Sequence, residues 1–400
     1  MNTNLLLSFP IPENGGSYLV KRGDTSALAL CVIDGTVTAT VTYDYSEIPL
    51  SLSAKAAVGD TVSLILLPYR IELRINDRLA DEEWPAGVHL YSPSLPAEGT
   101  LSVTVSDYVP VQKSFPTVLS SFENAQGWRP EETVFVGDCM PYVEDERYHV
   151  LYLKDRRHHK SKWKLGAHQW EHISTADFRI WNVHPTAVEI TSPEEGSICT
   201  GSQIRYNGTD YLFYTVRMAD FSPARICRSY AKDGYHFRKD PSFCFTLSEK
   251  YTGASARDPK IVLDDNGLFH MILTTSLSEE KRGCLAHLVS KDLNEWTELE
   301  APIYISEDET EPECPDYIRY RGRYYLIFSL KSKAHYLYSE RPFDGWKAPK
   351  DPIIPCSSVP KGAIWNDEIV FTGFERLSGY AGTMTFRTAT TDDNGEFSFR

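Results

Sequence analysis

Three acidic residues stand in stretches able to support acid–base or nucleophilic chemistry. Asp138 lies in VFVGDCMPYV, Asp258 in SARDPKIVL and Glu313 in EPECPDYI, each just ahead of a run that alternates like a strand. Carboxyl groups that act together can divide such work, an ionised one attacking or activating water and a protonated one donating to a leaving group. Each stretch also has a plainer reading. Asp138 can be a turn former, Asp258 can preorganise a turn before Pro259, and Glu313 can be a strand end facing solvent. Placement sets the three apart, because Asp258 follows Asp138 by two sequence repeats and Glu313 follows Asp258 by one.

Those repeats define the scaffold. A Ser or Thr, a turn-forming Asp or its equivalent and an aromatic recur in ISTADFRIW, SYAKDGYHF, LVSKDLNEW and YSERPFDGW, and TATTDDNGEFSF closes the chain. Their aromatics, Trp181, Phe237, Trp296, Trp346 and Phe397, fall roughly 50 to 60 residues apart, a period typical of propeller blades. Each repeat contains an earlier hairpin, such as RYNGTDYLFYT and RYRGRYYLIFS. The repeated Asp and aromatic read as structural, one bonding the turn backbone and the other filling space between blades.

Sustained helical periodicity is hard to find anywhere, so the fold class is all-β. A five-bladed β-propeller is expected over residues 116–400. A β-sandwich-like domain is expected over 1–115, where GTVTATVTYDY and TVSLILLPYRIELRIND alternate as half-buried strands do. Innermost propeller strands line a central funnel. The positions just before each hairpin are Asp138, the CTGSQ stretch (199–203), Asp258, Glu313 and Lys361-Gly362.

Composition narrows the partners. A formal charge of −14 on 400 residues argues against nucleic acid. No apolar run approaches a membrane span, and MNTNLLLSFPIPENGG lacks the basic region of a secretory leader. Eight scattered cysteines without C-x-x-C pairs read as reduced thiols, which points to a cytoplasmic protein. No metal site and no cofactor are expected, neutral or cationic ligands suit the charge, and oligomeric state is left open.

Several of these stretches resemble glycoside hydrolase family 32, the invertase, levanase and inulinase group. SARDPKIVLDDNGLFHMIL is similar to its Arg-Asp-Pro motif, and EPECPDYIRYRGRYYLIFS to its Glu-Cys-Pro-Asp motif. WEHISTADFRIW matches its Trp-Gly-His-Ala-Thr-Ser-x-Asp-Leu-x-x-Trp element without a gap. CTGSQIRYNGTDYLFYT resembles the Phe-Ser-Gly-Ser segment, and GYAGTMTFRTATTDDNGEF the last blade. The resemblance covers about residues 130–400 and implies a five-bladed propeller with a small carbohydrate as its partner.

It also implies roles: Asp138 as nucleophile, Asp258 as transition-state stabiliser, Glu313 as acid/base, Arg257 holding sugar hydroxyls, and Thr200 where a substrate-contacting serine is usual. An ionised Asp258 suits an oxocarbenium-like state, and Arg257 beside it should keep it ionised. Glu313 needs a raised pKa, which partial burial near other carboxylates would supply.

The chain departs from the family around the nucleophile. Where Trp-Met-Asn-Asp-Pro-Asn-Gly is usual, this sequence has FVGDCMPYV, with Gly137 in place of the Asn; the Gln usual in the next strand aligns near Leu153. The basic insertion KDRRHHKSKWKLGAHQW (154–170) reads either as a solvated loop or as a recognition element. In the second reading Arg156, Arg157, His158 or His159 meets an anionic group and Trp163 stacks on a sugar. The favoured activity is a retaining, exo-acting β-fructofuranosidase. Transfer to a sugar hydroxyl, an inverting arabinan- or xylan-type hydrolase, and a non-catalytic carbohydrate-binding propeller are the alternatives.

Overall fold

In the computed structural model the described residues are 4–400 except 45–48, 68–69, 84, 86–87, 109–116, 119–126, 131–133, 157–167, 193, 357 and 378–379. The chain divides into two compact units, one holding the first 111 residues and the other most of the remainder.

The first unit is a sandwich of two five-stranded antiparallel sheets. One sheet contains Leu5–Pro10, Thr61–Leu67, Arg70–Ile75, Arg78–Glu83 and Thr104–Asp107; the other contains Gly16–Arg22, Thr25–Ile33, Thr36–Val41, Leu50–Lys55 and Ala97–Gly99. Alternation explains the arrangement. Leu5, Leu7 and Phe9 point inward from the first sheet and meet Leu28, Leu30, Val37 and Leu52 of the second in one apolar cluster, while the intervening residues face outward.

The second unit is a five-bladed propeller. Blade one holds Val134–Glu144, Arg147–Arg156, Gln169–Thr175 and Ile180–Val183, and blade two holds Glu195–Tyr206, Thr209–Met218, Arg225–Ala231 and Arg238–Phe245. Blade three runs from Arg257–Leu263 through Phe269–Leu277 and Arg282–Ser290 to the short Thr297–Glu298. Blade four contains Glu313–Tyr320, Arg323–Leu330 and Lys333–Ser339; blade five contains Lys361–Trp365, Glu368–Arg376, Gly382–Thr391 and Phe397–Phe399.

Blades one and five are stitched into one sheet through Val136 opposite Gly382. The Tyr148 hydroxyl reinforces that seam by donating to the Val370 carbonyl at 3.0 Å. Hairpins follow local chemistry: Asn207 and Gly208 both take positive φ, 49° and 69°, as a two-residue primed turn demands. The repeated Asp behaves as its position suggests. Asp177 accepts from the Arg179 and Ile180 amides at 2.8 and 2.9 Å, and Asp292 accepts from Asn294 and Glu295 at 2.9 and 3.2 Å. Trp181, the aromatic that follows Asp177, is buried in the cluster shared by blades one and five.

Candidate active site

Each of the three acids sits at a β-bulge in the first strand of its blade. Pairing with the second strand shifts between Val136 and Cys139 in blade one, Arg257 and Lys260 in blade three, and Glu313 and Asp316 in blade four. An extra residue at this point re-aims a side chain that would otherwise alternate with its neighbours. Asp258 and Cys314 take positive φ there, 62° and 51°, a conformation that is uncommon for a non-glycine residue.

The bulges turn their side chains into a cavity of about 220 Å³ lined by Asp138, Asp258, Glu313, Arg257, Thr200 and Cys314. Four of the five candidate positions read from the sequence thus contribute side chains to one network. The fifth, Lys361, is buried just outside the lining and donates to the Gly201 and Pro315 carbonyls, both at 3.0 Å.

Asp138 is held on both oxygens. Thr200 donates to Oδ2 at 2.6 Å and Tyr380 to Oδ1 at 2.9 Å. The Cys314 thiol reaches Asp138 Oδ2 at 3.3 Å and Asp258 Oδ2 at 3.5 Å, so one sulfur joins the two aspartates. The Cys314 amide also donates to Asp258 Oδ2, at 3.1 Å. Arg257 spans the other side. Its Nε lies 3.6 Å from Asp258, one terminal nitrogen donates to Glu313 at 3.1 Å, and the other pairs with Glu311.

Electrostatics follow from this crowding. Burial pushes the Glu313 carboxyl up; Arg257 opposes that, and the nearby Asp258 and Asp138 charges add to it. The side chain is still 48% exposed, so it is desolvated on the cavity side while open to an entering group. Asp258 differs from the sequence expectation. It is 3% exposed, and burial outweighs the Arg257 and Lys361 charges, leaving its carboxyl above the usual range rather than held down. Burial also drives the Tyr380 and Cys314 protons to much higher pH, so both are donors near neutrality.

Sequence reasoning missed Tyr380, Cys314, His168, Arg217 and Arg376, all of which line the cavity. Cys314 lies inside a recognised motif, but nothing in one sequence marks a cysteine as a bridge between distant aspartates. Tyr380 lies between two strands of blade five and reaches Asp138 only through closure of the ring.

The structure accounts for Gly137. A Cβ there would meet the Tyr380 hydroxyl at 2.6 Å and Leu153 Cβ at 3.1 Å, so a side chain and this tyrosine cannot share the space. Leu153 lines the cavity as an apolar wall. Arg156 ends the second strand of blade one opposite Val134. Its side chain, and all of Trp163 and His158, lie outside the described residues.

Comparison with known proteins agrees with this architecture. The model of the glycosyl hydrolases family 32 N-terminal domain matches residues 139–348. A beta-fructofuranosidase, insoluble isoenzyme 7, of Oryza sativa subsp. indica is 27% identical over 211 residues, 49% of this chain and 32% of that protein. Fructan 1-exohydrolase IIa from Cichorium intybus superposes with a TM-score of 0.57 at 16% identity, over 68% of this chain and 59% of its own. Sucrose-6-phosphate hydrolase from Lactobacillus gasseri gives 0.56 at 16%, over 68% and 63%. These structural likenesses carry the fold, and the chain spans about a third of the length of the curated relative it matches. The family match extends over more than half of the residues, and the chain belongs to glycosyl hydrolase family 32.

Proposed function

We propose that this protein is a retaining glycoside hydrolase that removes terminal β-fructofuranosyl units from small fructosides. The observation that carries the reading is the convergence of three carboxyl groups from equivalent bulges in blades one, three and four on one cavity. A protein that only binds carbohydrate has no use for Glu313 as a partly desolvated proton donor.

In the first step an Asp138 oxygen attacks the anomeric carbon as the bond to the leaving oxygen breaks, and Glu313 gives that oxygen its proton. The bonds from Thr200, Tyr380 and Cys314 fix the plane of the attacking carboxylate. Asp258 stands beside the reacting centre to stabilise the oxocarbenium-like charge, with Arg257 and Lys361 offsetting part of the burial that raises its carboxyl. In the second step Glu313, now ionised, takes a proton from water, and the hydroxide oxygen displaces Asp138 from the anomeric carbon.

Arg217 and Arg376, also on the cavity wall, add positive charge that favours a substrate whose leaving group carries an anion. Incubation with sucrose, sucrose 6-phosphate, 1-kestose and inulin, with released fructose measured and its first-formed anomer read by NMR, tests the reading. β-Fructofuranose as the first product, and its loss in Asp138→Asn and Glu313→Gln, is expected. An inverted product, or an Asp138→Asn variant as active as the parent, overturns it; fructosylated sugars in place of free fructose assign transfer.

A further inference from the structure

A second cluster of chemically competent side chains lies elsewhere in blade one. His149 is on the second strand, His172 on the third and His184 just beyond the fourth. One donor atom from each lies within 4.8 Å of the others. His149 and His172 are 3% and 0% exposed. His149 Nδ1 and His172 Nε2 are 2.9 Å apart, and their opposite nitrogens, His149 Nε2 and His172 Nδ1, are buried without a hydrogen-bond partner. We propose that His149, His172 and His184 form a binding site for a borderline divalent ion such as Zn²⁺.

The chemistry favours such an ion. Imidazole must be neutral to coordinate. Burial, the largest influence on each, pulls His149 and His184 down to about 4 and His172 lower still, so all three are neutral near pH 7. The contacts that the neutral His149 and His172 rings make with each other and with Tyr142 leave one ring nitrogen of each buried without a partner. An ion drawing one nitrogen from each histidine lets the rings turn and re-bond. Tetrahedral coordination at Zn–N distances of about 2.1 Å, with a water as the fourth ligand, sets donor atoms about 3.4 Å apart, so the widest pair of the triangle, up to 4.8 Å apart, closes by up to about 1.4 Å.

The surroundings would hold the rings in place. Tyr142 stacks on His149 at 4.6 Å and Tyr235 of blade two packs against His184 at 4.5 Å. The Tyr142 hydroxyl is 3.2 Å from His172 Nε2, and Ser174 Oγ is 2.7 Å from His184 Nε2. Arg147, bonded to Ser174, is the opposing charge; Asp145 and Glu144 on the adjoining turn supply negative potential.

Blade three contains an internal control. His270 and His287 form the same pair in the same cross-strand register, Nδ1 to Nε2 at 2.8 Å. There the outer His270 nitrogen meets Asp264 at 3.4 Å and Phe343 stacks on the ring at 3.7 Å, with no third histidine in the cluster among the described residues. The paired histidines are therefore a recurring structural element, and His184 is what converts one copy into a ligand set. Sequence reading expected no metal. These histidines are distant in sequence and on separate elements, with no ligand spacing to notice.

The test is titration of chelator-treated full-length protein with Zn²⁺ by calorimetry, and with Co²⁺ by visible absorption. One ion per chain, tetrahedral Co²⁺ bands and a Zn²⁺-dependent rise in Tm are expected. His184→Gln, which alters the least buried ligand and spares the core, should weaken Zn²⁺ at least tenfold and abolish the bands, whereas His287→Gln should leave both intact. Absence of saturable binding, or equal binding by wild type and His184→Gln, overturns the proposal.

Discussion

Replacement of Tyr380 by Phe isolates what the hydroxyl does for Asp138. The phenol donates to Asp138 Oδ1 at 2.9 Å and accepts the Asp138 amide at 3.2 Å. Phenylalanine removes both bonds yet keeps the ring against Phe374 and His168, at 5.3 and 5.2 Å. Two effects oppose each other. A donor to Asp138, the proposed nucleophile, stabilises its charge before attack, so losing it would speed the first step; it also fixes the carboxylate plane, so losing it would slow that step.

Orientation should dominate, because the same hydroxyl ties the bulge backbone and only Thr200 and Cys314 remain to hold Oδ2. A hydrogen bond to a charged group contributes about 1.5–3 kcal/mol, and each ~1.4 kcal/mol is a factor of ten in rate. The expected loss in kcat/KM on the best fructoside is therefore on the order of 10- to 100-fold, with Tm close to the parent value. Gly137→Ala should impair activity comparably by pressing on the hydroxyl, and the two changes together should cost less than the product of their separate effects. A kcat/KM for Tyr380→Phe within about twofold of the parent, or above it, or strict additivity in the double variant, refutes the reasoning.

Arg257→Gln removes the cation that opposes the upward push on Asp258 and Glu313. Both carboxyls should titrate higher, so the basic limb of the kcat/KM–pH profile moves to higher pH while the maximum falls; an unmoved or lowered limb counts against Glu313 as the acid. Asp316 is fully buried and pairs with Lys260 at 2.6 Å. Burial alone would raise its carboxyl, but Lys260 and Lys361 outweigh that and hold it below the usual range. Its stabilising contribution is thus present above the unfolded pKa and lost as pH falls through the folded one. Asp316→Asn should cost about 3–5 kcal/mol in urea unfolding at neutral pH and flatten the acid side of the stability profile; a loss under about 1 kcal/mol contradicts this. Arg217→Ala with Arg376→Ala should reduce any preference for sucrose 6-phosphate over sucrose, measured as the ratio of kcat/KM values, and an unchanged ratio removes these arginines from leaving-group recognition.

Local chemistry made much of this molecule legible in sequence. Alternation in TVSLILL, the Asn-Gly turn at 207–208 and the repeated Asp-aromatic segments each act over a few residues, and strand, hairpin and blade count follow from them. The three acids were readable for the same reason: each occupies one register position in a repeating unit. Departures such as Gly137 were visible but had no explanation, because the Tyr380 hydroxyl that excludes a side chain there arrives from more than two hundred residues away.

The balance of charge on Asp258 was beyond sequence as well. Adjacency to Arg257 suggests an ionised carboxylate, whereas burial, set by how blades three and four close around it, has the larger effect. The same holds for Cys314 between two aspartates and for three histidines gathered from two strands and the segment after a third. Sequence by itself determined the all-β character, the five repeats and the depth at which the acids lie. Ring closure decided which groups touch them, because contacts between blades depend on distances across the funnel that no local pattern encodes.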